Sequence, residues 1–258
     1  MRRKTSDHSE PLASHSWKVW ARIDLRLRYV GGATMGDTLD RLHGAIEHEI
    51  GVAYERVEHA APRAEEDWGV EVMDDEWAAV EGLLGLAFVA GQTFMTGVRT
   101  SIAGLGKELQ DVGHPLSLGH PPVLVSADGR GARGLFDIGN PLQSGSPHTG
   151  VRVINEVANF WKHQDEWPIT YESAAHPRRC PDWDWEAMAK NERCTLEIVG
   201  PIGMAPCRSG NLRDAAGALG VGDFRDLSPI RQKLKDWAND LYQEARAEVD
   251  GLRSGRDM

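Results

Sequence analysis

Between Glu81 and Arg99 the chain runs for 17 residues without a charge, G-L-L-G-L-A-F-V-A-G-Q-T-F-M-T-G-V. A stretch like this must escape water, either inside a bilayer or at the centre of a protein core. A bilayer needs roughly 20 apolar residues in one helix. This run is shorter, and Gln92, Thr93 and Thr96 dilute it further. The expectation is therefore a central helix within a segment from about 75 to 112, buried on nearly all sides and not spanning a membrane. Gly85, Gly91 and Gly97 would let neighbouring helices approach it closely.

Other segments carry the spacing needed to pack around such a centre. Leu39, Leu42, Ile46, Ile50, Ala53, Val57 and Ala60 recur at helical intervals. Asp37 is placed to cap that helix and Pro62 to stop it. Ile154, Val157, Ala158 and Trp161 form a second stripe, in a helix expected to start near Thr149-Gly150 and end before Pro168. A short helix is expected around Asn211 to Leu219. Ser228-Pro229 then reads as N-cap and first turn of a long helix with Ile230, Leu234, Trp237, Leu241, Ala245, Val249 and Leu252 on one side.

Three segments suggest strands. Over 17–30, Ala21, Ile23, Leu25, Leu27 and Tyr29 alternate with Arg22, Asp24, Arg26 and Arg28, which favours a strand with an arginine-lined face. A helix stripe of Val19, Ile23, Leu27 and Val30 remains the alternative, with only Leu25 out of place. Val123–Ala127 and Arg133–Ile138 flank D-G-R-G-A and read as a β-hairpin, with Cys194–Val199 as a candidate third strand. Residues 1–15 are polar enough for a disordered tail, leaving 16–258 as one domain. The expected fold is mainly α, a bundle of about four principal helices with a small inserted β-hairpin or short sheet near 123–138.

A formal net charge of -10 argues against wholesale wrapping of nucleic acid, though a local basic groove for RNA stays open. Three cysteines, Cys180, Cys194 and Cys207, and an N-terminus with no apolar leader fit a cytoplasmic protein with free thiols. With His176 the cysteines invite a zinc reading, but no C-x2-C knuckle occurs. Asp40, His43 and Glu47 would share one outer helical face as a metal half-site, which lacks a matching Glu-x-x-His helix. Gly129, Gly131 and Gly134 are not followed by the Lys-Ser/Thr of a phosphate loop. No metal or other cofactor is expected.

Chemistry is concentrated in Asn155–Trp167, N-E-V-A-N-F-W-K-H-Q-D-E-W. Arg152, Asn155, Asn159, Lys162, His163 and Glu166 lie off the apolar stripe, and Asn155, Asn159 and His163 stack at i, i+4 and i+8. Within this stretch A-N-F-W-K-H at 158–163 resembles the R-N-x-x-x-H signature of the HEPN superfamily, all-α bundles that are often ribonucleases. The resemblance implies Asn159 as the polar residue after the arginine and His163 as the catalytic histidine, acting at a dimer interface on RNA. The arginine position is Ala158, so Lys162 or Arg152 would have to supply the missing positive charge, Lys162 without the planar fork.

The residues favour a binding or interaction module, a degenerate HEPN-like domain being one form of it, with a second copy of the chain or another protein as partner. The rival is a metal-independent ribonuclease that uses His163 with Asn159, Lys162 and Arg152. A metal protein built on His43 and Glu47 is the third reading.

Overall fold

The 45-residue helix α3, Asp67–Asp111, contains the whole uncharged run and packs against five of the other six described helices. The computed structural model describes residues 12–63, 67–114, 116, 118, 134–142, 146–170, 182–183, 185–205 and 208–254. In chain order the other helices are α1 (Leu12–Val30), α2 (Ala33–Ala60), α4 (Gly150–His163), α5 (Lys190–Val199), α6 (Asn211–Ala218) and α7 (Ser228–Ser254). The predicted mainly helical bundle is what the chain forms.

Packing against α3 follows the glycines. A Cβ on Gly85 would lie 2.2 Å from the Trp161 ring, and one on Gly97 would lie 2.9 Å from Met35. At Gly91 it would meet Leu234 at 3.1 Å and Ile154 at 3.2 Å. These three glycines thus seat α4, α2 and α7 on the central helix. Phe88, Phe94, Met95, Leu84, Leu105 and Leu109 fill the space between. Burial is not all round, however. Only 44% of the helix's most apolar window is buried, although its length and composition would suffice to cross a membrane.

The strand expected at 17–30 is a helix. Val19, Ile23, Leu27 and Val30 are buried, and Leu25, the residue that broke the stripe, is 50% exposed. The alternation was a coincidence of the 100° helical step with one misplaced leucine. No shared arginine strip results, since Arg22 pairs with Glu108 at 3.1 Å and Arg26 rests against Gly104. Helix α1 also starts at Leu12, within the segment expected to be a tail. Residues 1–11 lie outside the described residues.

Gly32, at φ 72°, turns the chain from α1 into α2. A side chain there would press on the Phe94 ring at 3.0 Å, so both backbone and space require glycine. Helix α2 therefore begins at Ala33, before the expected cap at Asp37, and it ends at Ala60 ahead of a 3-10 turn through Pro62.

The inserted hairpin is not supported. Its first arm, 123–127, and its turn lie outside the described residues. Within the second arm Leu135–Asp137 is a 3-10 turn, closed by Asp137 accepting from the Gly134 amide. That turn is wedged between α4 and α7: Thr149 donates to the Phe136 carbonyl, and Trp237 Nε1 donates to Leu135 O at 2.7 Å. Nor is Cys194–Val199 a strand. It is the end of α5, whose first turn is closed by Glu192 accepting from Ala189 N at 2.7 Å. Leu196, Ile198 and Val199 bury its inner side. The only strand pairing among the described residues is β1 (Ile169–Thr170) antiparallel to β2 (Asp182–Trp183).

Candidate functional site: the polar face of α4

Helix α4 starts where expected. Thr149 accepts a hydrogen bond from Arg152 N at 3.2 Å, the capping bond that a β-hydroxyl offers the first turn. Ile154, Val157 and Ala158 are completely buried, with Val153 and Phe160 beside them. Trp161, expected in the same stripe, is half-buried over Gly85.

The amide ladder faces the central helix and not an open cleft. Gln92 Nε2 donates to Asn159 Oδ1 at 2.7 Å and to Asn155 Oδ1 at 3.1 Å. The two amides in turn donate to Glu156, Asn155 Nδ2 to Oε1 at 3.0 Å and Asn159 Nδ2 to Oε2 at 3.1 Å. Thr195 of α5 donates the third bond to this carboxylate, at Oε2 and 2.8 Å. Arg152 Nε stands 3.5 Å from Oε1 as the counter-charge, buried and without a hydrogen bond of its own. Glu156 is thus a buried carboxylate, 7% exposed, joining α4 to α5 directly and to α3 through the asparagines and Gln92. A buried charge needs this degree of satisfaction to be tolerated.

The four residues marked as candidate catalysts do not converge. Asn159 and Arg152 belong to the Glu156 cluster. Lys162 donates to Gln92 Oε1 at 2.6 Å, completing the link from α4 to α3. His163 sits apart on an exposed stretch, with Nδ1 3.2 Å from Glu166. Arg152 and His163 are eleven residues apart on one helix, about 16 Å along its axis, too far to grip one phosphate from a single chain. Glu156 was missed in the sequence because it sits beside Asn155. Its place at i+3 from Val153 and i-4 from Phe160 was the available signal of a charge on a buried face.

The supposed metal half-site is dispersed in the same way. His43 is not on the outer face of α2 but completely buried, with Nε2 donating to Ala87 O at 3.0 Å and Nδ1 without a partner. Burial pushes its pKa below the ordinary histidine value, and nearby Arg231 adds to this. Glu47 accepts from Leu227 N and Arg231 Nη1, each at 2.6 Å, and Asp40 from Lys235 at 2.7 Å. The two carboxylates thereby hold the start of α7 on α2. No group of three or more possible metal ligands occurs among the described residues. Cys194 is a half-buried free thiol. Cys180, Cys207 and His176 lie outside the described residues, as do Gly129 and Gly131.

A shallow polar depression lies at the start of α6, lined by Arg208, Ser209, Gly210, Arg213, Asp214 and Phe224. Its cations are already neutralised. Arg208 pairs with Asp214 at 2.6 Å, and Arg213 with Glu81 at 2.7 Å while stacking over Trp77 at 4.8 Å. No family model matches the chain, and no curated protein or solved structure is significantly similar to it.

Proposed function

We propose that the protein is a binding and interaction module whose surface, and not an enclosed catalytic site, carries its function. One observation carries this reading. The polar groups of α4 from Arg152 to Lys162 are consumed in holding helices together, while Trp17, Leu25, Tyr29, Leu42 and Leu86 on α1, α2 and α3 lie between 38% and 71% exposed. Large apolar side chains left in water are what a contact surface offers. The test is capture of partners by the full chain, paired with its mass in solution. A monomer that captures nothing would overturn the reading.

The ribonuclease alternative rests on His163 alone. Its imidazole is accessible, and Glu166, 3.2 Å from Nδ1, is placed to orient it. A HEPN-type enzyme of this kind would need the missing cation from a second chain. RNA cleavage by the purified protein that is abolished in His163→Ala would establish it, and cleavage unchanged in that variant would remove it.

A further inference from the structure

The outer side of α3 carries an uncharged seam at strict heptad spacing: Ala79, Gly82, Leu86, Val89, Thr93, Thr96, Thr100 and Ala103, at alternating steps of three and four. Gly82 and Val89 are half-exposed and the other six are exposed, Leu86 by 50%. A period of 3.5 is what a helix needs to keep one seam against a partner helix, and it is not required for packing into a globular core. The threonines are prepared for covering. Thr93, Thr96 and Thr100 each donate their hydroxyl to the carbonyl four residues back at 2.9 Å, so burying them strands no donor.

One more step of four at either end of the seam reaches a charge, Asp75 at the start and Lys107 at the end, both exposed. Neither forms an ion pair within the chain among the described residues. All ten positions are symmetric about Gly91. Turning a second helix end for end therefore sets Asp75 against Lys107, Ala79 against Ala103, Gly82 against Thr100, Leu86 against Thr96, and Val89 against Thr93. Parallel pairing would instead oppose Asp75 to itself and Lys107 to itself. Neighbouring Glu108 does not compete for Lys107, being held by Arg22. The seam extends for about 48 Å, and an end-to-end two-fold contact is the commonest way for identical chains to meet.

We infer that α3 pairs antiparallel with α3 of a second copy of this chain, through the seam from Asp75 to Lys107, to form a two-fold dimer. This rests on the interaction reading and names its partner. A lipid surface is the less suitable occupant. Helices that lie on membranes present bulky apolar residues flanked by Lys and Arg, whereas this seam is small, threonine-rich and closed by opposite charges at its two ends.

The test is sedimentation of the full chain across about a hundredfold range of concentration. The expected mass is twice the 28.4 kDa chain. Leu86→Glu, or Thr93→Arg should the first variant fold poorly, should give a monomer whose thermal unfolding stays cooperative. Asp75→Lys and Lys107→Asp should each weaken the dimer several-fold, as exposed ion pairs do, and the double exchange should restore it. Only antiparallel pairing gives that rescue. A wild-type monomer would overturn the inference while leaving the interaction reading to partner capture. A dimer indifferent to Leu86→Glu and Thr93→Arg would place self-association elsewhere and overturn it too. So would a monomer that co-sediments with vesicles of phosphatidylcholine and phosphatidylglycerol and is released by Leu86→Glu.

Discussion

On α4 the side chains Asn155, Glu156 and Asn159 turn toward the bundle and satisfy one another. On α3, Leu86 and three threonines turn toward solvent, Leu86 by 50%. The first cluster is turned inward, and the second helix exposes its uncharged side. The difference separates what holds the protein together from what it offers to others. A polar group buried with every bond made is specifying how the helices meet. An uncharged heptad face left in water is unused until something covers it.

Removing the hub of the buried side should have the largest effect. Glu156→Ala takes the counter-charge from Arg152, whose side chain is 26% exposed, and strips Thr195, Asn155 and Asn159 of their acceptor. Leaving a buried donor without its acceptor costs about 1–3 kcal/mol, and the loss here falls on several at once, which chemical denaturation would read as a large fall in midpoint. Next comes Gly85→Ala. The new methyl would have to displace Trp161, and an overpacked contact of this kind costs about 1–3 kcal/mol, visible in the same denaturation curves.

His43 gives a third test, through pH. Its folded-state pKa is lowered, so the unfolded chain takes up its proton first. Its contribution to stability is therefore complete above the unfolded value of about 6.5 and is lost as pH falls below it. Stability measured from pH 7.5 to 5 should fall toward acid, and His43→Gln should flatten that fall. On the exposed side, Leu86→Glu and His163→Ala should shift the stability of the folded monomer by no more than about 0.5 kcal/mol. A large loss from either would mean that α3's outer face or the end of α4 is structural after all.

The long helices could be read from the chain because their stripes are long and pure. In α7, Ile230, Leu234, Trp237, Leu241, Ala245 and Val249 are all buried as the spacing requires. Helix α3 was located by its absence of charge, but composition alone could not say how much of it would be covered. Leu25 misled the reading of α1 because one exposed leucine completes a strand alternation. Helix α5 was missed because it is ten residues long and follows a proline-rich stretch. The polar residues of α4 other than Glu156 were found, but not their direction. Asn155 and Asn159 look like a site until Gln92, more than sixty residues earlier, is brought against them. Such long-range partners have no periodic trace in sequence. The same is true of His43, whose Nε2 meets the Ala87 carbonyl.

The two helices can be set against each other in one measurement, the thermal midpoint of the wild type, Glu156→Ala and Leu86→Glu at low and high protein concentration. Mass action raises the midpoint of a dimer as its concentration rises. If α3 pairs with α3 and Glu156 ties the bundle together, the wild-type midpoint climbs with concentration. Glu156→Ala should melt far lower but climb in the same way, and Leu86→Glu should lose the climb. A wild-type midpoint indifferent to concentration, or a Glu156→Ala protein as stable as the wild type, would contradict that arrangement.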